Sequence, residues 1–295
     1  MNQKSWATIG VVFLAGIMIL STFAGFVMRG GGPAETAATE SWNPSNFGVS
    51  GRLINWDFES LGDALGMYPE NLAFAYWIDM TASEDLTEAA ASVLPPAVGL
   101  TFRYQMNFYP SPIDRVSWGL YGDEVAEFHW TKPAQVGAHG LAILYNGYQM
   151  IPLGTTDLYS VMGMPVLFGS EPSVKTVLDV IGGEAPTTEK FVLPYDEIDA
   201  LQISVLGEDA ATPNPNLVLP LGGNYLESYL GISPVDDGYM LTAKYLSLHG
   251  ESERRVSNVA ESHGLSIRSD GEIVTVSGAV EPENLAETLG AFIAP

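Results

Sequence analysis

Tight-turn signals in the middle of the chain constrain its fold most strongly. Gly122-Asp123 and Asn146-Gly147 each separate two runs rich in apolar and aromatic residues, and both dipeptides favour the positive φ angles of two-residue hairpins. Asp270-Gly271 is a third such signal. Because a hairpin joins antiparallel neighbours, these turns predict antiparallel sheet. We expect a meander of about five strands over residues 100–153, beginning with the strictly alternating segment 101–109.

The rest of the body alternates between strand and helix patterns. Residues 69–80 and 199–207 are short, mostly apolar runs that indicate strands, the first of them buried on both faces. Apolar residues recur at helical spacing in four segments, which are residues 84–94, 171–181, 252–264 and 282–292. Helices combined with hairpin-linked strands predict an α+β fold, with amphipathic helices packed on one face of an antiparallel sheet.

Two segments suggest an internal duplication. VLFGSEPSVKTVL and VSGAVEPENLAETL both run from a strand through Gly and Glu-Pro into an amphipathic helix. The match is short and offset by one residue, so the sequence leaves open whether the body at 51–295 is duplicated. Its organisation as one unit, or as two with a boundary near residue 165, is left open by the sequence.

The N-terminal segment has the length and polarity of a membrane span. Residues 6–28 contain no charged side chain and would form a helix about 34 Å long, enough to cross a bilayer core. Lys4 favours a cytoplasmic N-terminus. We therefore predict that residues 1–29 form a single-pass signal anchor in the cell membrane and that the body lies outside. The alternative is a signal peptide cleaved after Thr22-Phe23-Ala24. Residues 30–50, rich in Gly, Pro, Ala, Ser and Thr, are predicted to be a flexible linker.

The charge of the chain limits its partners. Lys4 and Arg29 are the only charged residues before residue 31, so ten of the 12 bases face all 35 acids in the remainder, a formal charge of −25. Such a body repels phosphate backbones, and no nucleic-acid partner is predicted. Besides the membrane contacted by residues 6–28, we predict a protein partner, for which a basic surface is the best electrostatic match.

The residue inventory excludes several kinds of chemistry. The chain has no cysteine, which rules out disulfides, thiolate metal sites and iron–sulfur clusters. The nucleophile signatures G-x-S-x-G and S-x-x-K and the zinc signature H-E-x-x-H do not occur. No cofactor is predicted.

Glu127, His129 and His139 are the candidate metal ligands. Glu127 and His129 lie two residues apart on one face of a predicted strand, and His139 precedes the next strand. Two imidazoles and a carboxylate are suitable zinc ligands, and Glu127 with His129 is also a candidate acid–base pair. The opposite strand face carries Ala126, Phe128 and Trp130, so we expect the pair to face solvent, where it needs no functional explanation.

Asp79 is the third catalytic candidate, because it ends the predicted buried strand. Carboxylates at strand ends often take part in chemistry. The favoured interpretation is structural: Asp79 arranges the turn that leads to a capping box formed by Thr81 and Glu84.

The segment around Gly169 joins a strand to a helix as phosphate-binding loops do. It lacks the longer glycine-rich loop and the Gly-Lys-Ser/Thr of a P-loop, and Glu171 places a carboxylate where a phosphate would bind. We interpret it as a connection, with Ser170 as the helix N-cap and Pro172 in the first turn.

A resemblance extends across residues 139–295. Gly169, Glu171, Val174, Lys175, Leu178 and Asp179, followed by Gly183-Glu184-Ala185-Pro186, resemble a pattern in an uncharacterised family of prokaryotic envelope proteins. The resemblance implies one N-terminal membrane segment and a duplicated α+β exterior. It implies no activity and no catalytic residues.

Taken together, the sequence predicts a membrane-anchored, extracytoplasmic protein of the cell envelope that acts by binding or assembly and not by catalysis. Two alternative functions belong to other functional classes. One is an anchored hydrolase that uses carboxylates, and the other is a receptor for a solute or metal ion.

Overall fold

A computed structural model of the chain describes residues 51–101, 109, 111–132, 141–153, 156–208, 210 and 220–293. All of these belong to one compact unit. Within this described part, no helix is long and apolar enough to cross a membrane. The predicted anchor at 1–29 and the linker at 30–50 lie outside the described residues.

Fourteen strands and six helices are described. The strands are β1 Ile54–Asn55, β2 Leu72–Asp79, β3 Ile113–Tyr121, β4 Glu124–Thr131, β5 Ile143–Tyr145, β6 Tyr148–Pro152, β7 Leu158–Val161, β8 Gly163–Met164, β9 Val166–Ser170, β10 Leu201–Leu206, β11 Glu227–Val235, β12 Gly238–Leu246, β13 Ser266–Asp270 and β14 Ile273–Val280. The helices are α1 Leu61–Leu65, α2 Glu84–Val93, α3 Val98–Thr101, α4 Glu171–Ile181, α5 Gly250–Ser262 and α6 Leu285–Ile293.

Twelve of the strands form one antiparallel sheet. Their order is β13-β14-β12-β11-β10-β2-β3-β4-β9-β7-β6-β5, and β1 pairs in parallel with β8 as a separate ribbon. The strand β2 lies in the middle of this sheet. Seven of its eight residues are buried, as its unbroken apolar run predicts. The chain is thus a mixed α+β protein dominated by a large antiparallel sheet, and the α+β prediction is confirmed.

Helices cover both faces of this sheet, so the prediction of helices on one face is wrong. Phe74, Tyr76 and Ile78 of β2 join the first core cluster with α2, α5 and α6. Ala75 and Trp77 of the same strand join the second cluster with α1 and α4. A central strand that is apolar on both sides cannot leave either face in water, and this requires two helical layers.

The predicted hairpins are present, but the continuous meander is wrong. Gly122-Asp123 joins β3 to β4, and Asn146-Gly147 joins β5 to β6. The outer neighbour of β4 is β9, while β5 lies at the far edge of the sheet. A hairpin sets the pairing of its own two strands and leaves the order of separate hairpins to long-range packing. The predicted strand at 101–109 falls almost entirely outside the described residues.

The helix boundaries agree with the sequence at α4 and differ at α2. Ser170 caps α4 by accepting the N–H of Ser173, with Pro172 in the first turn. The N-cap of α2 is Ser83, whose hydroxyl accepts the N–H of Leu86. The capping box predicted at Thr81 is therefore wrong, because Thr81 belongs to the preceding turn.

The structure does not show a duplication. The strand β9 leads directly into α4, whereas β14 leads into a 3₁₀ turn at Pro282–Asn284 before α6. The two helices also pack in different core clusters, α6 in the first and α4 in the second. Strands from both sides of residue 165 share the sheet, since β9 pairs with β4.

Candidate functional site

Glu127 and His129 lie inside the protein, and the prediction that they face solvent is wrong. Glu127 is 5% exposed and His129 has no exposed surface. Their strand, β4, runs between β3 and β9, and helices and loops cover the sheet on the face where these two side chains lie. The apolar residues Ala126, Phe128 and Trp130 pack in or against the second cluster, as predicted, but the other face of β4 is covered too.

The carboxylate of Glu127 is fully engaged. Its Oε1 accepts the N–H of Val98 at 2.9 Å, and its Oε2 accepts the N–H of Gly99 at 3.0 Å. His129 Nε2 lies 2.8 Å from the same Oε2. The carboxylate therefore satisfies amide donors at the start of α3, which would otherwise be unpaired in the interior.

His129 is held between Glu127 and Tyr109. Its Nδ1 lies 2.6 Å from the hydroxyl of Tyr109, and its ring stacks on Phe168 with centroids 5.5 Å apart. Burial, and then the charge of Glu127, raise the pKa of Tyr109 well above its usual range. The phenol therefore stays protonated. With a neutral imidazole, donation from the phenol to Nδ1 places the ring proton on Nε2, from which it is donated to Glu127.

Gly99 makes this arrangement sterically feasible. A Cβ at residue 99 would lie 2.7 Å from His129 Nε2 and 2.8 Å from Val116 Cγ2. Both distances are shorter than real carbon contacts, and both neighbours are packed. Glycine is the residue that lets the chain at 98–99 approach the imidazole closely enough for Glu127 to reach both amides.

The row Tyr109–His129–Glu127, called here the buried triad, has the order of groups found in proton relays. Its polar atoms are nevertheless already engaged in hydrogen bonds. Both carboxylate oxygens, both ring nitrogens and the phenol have partners inside the protein. Two surface grooves of the described structure lie between residues 69–71 and 185–190, and a further one lies along residues 262–288; all of them are lined by other side chains. The geometry suits a structural network that ties Val98, Gly99 and Tyr109 to β4.

Asp79 does not join the buried triad. Asp79 Oδ1 accepts the N–H of Thr81 at 2.8 Å and its hydroxyl at 2.7 Å, which is the turn that the sequence favours. His139 lies outside the described residues. Among the residues that are described, no group of three or more His, Asp or Glu side chains could hold a metal ion. A catalytic role for Asp79 stays a prediction.

A second polar cluster, which the sequence pattern does not predict, is centred on β11. Glu227 is 1% exposed, and its Oε2 accepts the N–H groups of Val192 and Leu193 at 2.7 and 3.0 Å. Burial raises the pKa of Glu227 to about 7. The segment 191–199, called here the strap, is thus fastened to the sheet. A glutamate within a strand whose neighbours are apolar or aromatic was the signal in the sequence.

Further bonds hold the strap at its other end. Tyr229 donates its hydroxyl to Asp199 Oδ2 at 2.7 Å, and burial raises the pKa of both groups. Lys244 donates to the carbonyl of Pro194, and Gln202 donates to the carbonyl of Asp199 at 2.9 Å. These residues come from β10, β11 and β12, so one polar face of three strands positions the strap.

A surface groove with acidic walls opens beside the end of α5. Its volume is about 510 Å³, and it is lined by Ser262, His263, Ala279, Val280, Glu281, Asn284, Glu287 and Thr288. Neither Glu281 nor Glu287 forms an ion pair with another described residue. The C-terminal end of α5 adds the negative end of a helix dipole. This acidic groove favours cationic groups.

Comparison with known proteins adds a distant structural likeness. Neither a protein-family model nor a curated protein sequence matches the chain. Crystal form I of TP0453 is similar with a TM-score of 0.45 and 10% identity, over 79% of this chain and 98% of that one. Crystal form III of TP0453 gives a TM-score of 0.47 and 11% identity, over 77% and 98%. Similarity at this level carries no argument about function.

Proposed function

We propose that this chain is a single-pass, membrane-anchored extracytoplasmic protein that acts by binding or assembly and not by catalysis. Residues 6–28 would anchor it, with the N-terminus in the cytoplasm and the body at 51–295 outside the cell membrane. Its place in the cell envelope would be that of an accessory or interaction subunit.

The proposal that the protein is not a catalyst rests on the buried triad, whose polar atoms are all hydrogen-bonded inside the protein. Glu127 and His129 are the acid–base pair that the sequence offers, and their hydrogen-bonding atoms are occupied by Val98, Gly99 and Tyr109. A general base must reach the proton that it abstracts. A pair this deeply buried binds Val98, Gly99 and Tyr109 instead of a substrate.

The surface charge supports a basic partner. The remainder of the chain after residue 30 carries a formal charge of −25, and the acidic groove places Glu281 and Glu287 beside the end of α5. Such a surface attracts lysine and arginine side chains and speeds their encounter, an effect that salt screens.

The test begins with full-length protein extracted from its native membrane in mild detergent. Light scattering measures the mass, and mass spectrometry identifies any stoichiometric companion. The double substitution Glu281→Gln and Glu287→Gln removes the charge of the acidic groove. Glu283→Gln is the matched control, since Glu283 is exposed in the same segment but does not line the groove.

We expect the double variant to lose the companion, the control to keep it, and binding of the unmodified protein to weaken as salt is raised. If both variants retain the companion, the interface lies outside the acidic groove. Two results would contradict the proposal itself. One is release of the chain from membranes by alkaline washing, and the other is turnover of a peptide, ester or polysaccharide that a single carboxylate substitution abolishes.

A further inference from the structure

The edge strand β5 and the residues just before it expose three apolar side chains. Leu141 is 92% exposed, Leu144 is 69% exposed and Ile143 is 38% exposed. Among the described strands, β5 pairs only with β6. Neither core cluster includes these three residues, whereas their neighbour Tyr145 packs against the second cluster. We call Leu141, Ile143 and Leu144 the apolar edge. Successive residues of a strand point to opposite faces, so Ile143 and Leu144 flank the edge from its two sides. Exposed apolar side chains at an uncovered sheet edge mark an interaction surface.

The chain from the predicted anchor enters the described structure at this same place. Arg52 N–H donates to the carbonyl of Gly147 at 2.8 Å, and the Arg52 guanidinium lies 4.6 Å from the ring centroid of Tyr148. Gly147 belongs to the turn that follows β5. The first described residues, 51 and 52, therefore lie beside the turn that follows the apolar edge.

We propose that the apolar edge docks onto the surface of the lipid bilayer in which residues 6–28 are anchored. This inference rests on the proposed function, because it takes the anchor as given. A flexible linker of the length of residues 30–50 has a root-mean-square span of about 25 Å. That span keeps the turn at Gly147 near the headgroups, so weak insertion of Leu141 and Leu144 becomes an effectively intramolecular event.

The surroundings of the apolar edge fit an interfacial position. Tyr145 ends β5, and the Lys175 ammonium, which is ion-paired with Glu171, lies 5.4 Å from its ring centroid. Aromatic side chains such as Tyr145 suit the headgroup level. The nearby carboxylates of Asp179 and Glu184 accept hydrogen bonds from Tyr145 and Asn146. Their charges favour a zwitterionic bilayer surface over an anionic one.

A second copy of the chain fits the apolar edge less well than a bilayer does. The strand β5 is three residues long, so edge-to-edge pairing would form few backbone hydrogen bonds. Three side chains cannot bury the roughly 1,200 Å² that a stable protein interface needs. A bilayer requires no such area, because the anchor already holds the body at the membrane.

The absence of cysteine from the chain allows a direct test. The variant Leu144→Cys carries a single environment-sensitive fluorophore, and the full-length protein is reconstituted into phosphatidylcholine vesicles that contain a spin-labelled lipid quencher. The matched control is Ile267→Cys, because Ile267 is 42% exposed on β13, the opposite edge of the sheet. Circular dichroism and thermal unfolding verify that both labelled proteins fold.

We expect quenching at residue 144 to be about threefold stronger than at residue 267, since interfacial elements insert roughly 5–10 Å into the headgroup region. Adding Leu141→Gln to the labelled Leu144→Cys protein should reduce that quenching. Equal quenching at both positions in protein that resists alkaline washing would overturn the docking proposal and leave the anchor standing. Release by alkaline washing would overturn both. Self-quenching at residue 144 that grows with the protein-to-lipid ratio, without lipid quenching, would assign the edge to a second copy and overturn the proposal.

Discussion

The Nε2 atom of His129 and the Oε2 atom of Glu127 lie 2.8 Å apart in the interior of the protein, although the two residues are neighbours on one face of a strand. Adjacent polar residues on a strand face usually point to water. Here the backbone of α3 and the hydroxyl of Tyr109 supply the remaining hydrogen bonds. The pair therefore works as a structural connector, and its contribution to stability can be measured.

Removing the hydroxyl of Tyr109 should destabilise the fold. Tyr109→Phe leaves the Nδ1 atom of buried His129 without its partner, and an unpaired buried polar atom costs about 1–3 kcal/mol. Urea unfolding of the variant measures the loss. Tyr159→Phe is the control, because the hydroxyl of Tyr159 has no hydrogen-bond partner among the described residues. A Tyr109→Phe variant as stable as the parent protein would contradict the geometry of the buried triad.

Alanine at residue 99 should be harmful, whereas alanine at residue 290 should be tolerated. A Cβ on Gly99 would approach His129 Nε2 to 2.7 Å, so we expect Gly99→Ala to lower the free energy of unfolding by about 1–3 kcal/mol. The nearest atom to a Cβ at Gly290, within α6, is 3.8 Å away. Gly290→Ala should raise stability by about 0.5–1 kcal/mol through helix propensity. Thermal unfolding compares the two, and equal effects would be inconsistent with the close approach at Gly99.

The stability of the protein should depend on the ionisation of Glu227. Burial raises its pKa from 4.5 to about 7, so the folded state holds this proton more tightly than the unfolded state does. The resulting stabilisation is complete below about pH 4.5 and is lost as the pH rises through 7, a change of about 3 kcal/mol.

The substitution Glu227→Gln should remove that part of the pH dependence, because its amide oxygen still accepts from Val192 and Leu193 but does not ionise in this range. Free energies of unfolding at pH 5 and pH 8 measure the difference. Glu253→Gln, at an exposed position in α5, should leave the profile of the parent protein unchanged. Identical pH profiles for Glu227→Gln and the parent would show that another group is responsible.

The helix cap at Ser170 should contribute measurably. Its hydroxyl accepts the N–H of Ser173 at 3.2 Å, so Ser170→Ala should cost about 1 kcal/mol. Ser257→Ala changes an exposed serine inside α5, where alanine is the better helix former, and should be neutral or slightly stabilising. Urea midpoints distinguish the two outcomes. If both variants unfold at the midpoint of the parent, Ser170 is not a functioning cap.

The elements that the sequence predicts correctly depend on local chemistry. The turns at Gly122-Asp123 and Asn146-Gly147 contain residues with positive φ, which their dipeptides favour. The third hairpin is also present, although its two-residue loop is Gly271-Glu272, one residue later than predicted. The strand β11 was missed because Gly231 and Pro234 interrupt its pattern. Its pairing with β10 and β12 overrides those local preferences.

Local periodicity in the chain was enough to determine the antiparallel hairpins, the central strand β2 and the capped helix α4. The pairing of β4 with β9 and the packing of helices on both faces emerged only in three dimensions. That pairing converts Glu127 and His129 from residues expected in water into a buried, saturated network. The physical reason is that burial depends on what covers a strand, and the covering segments lie far away in the sequence.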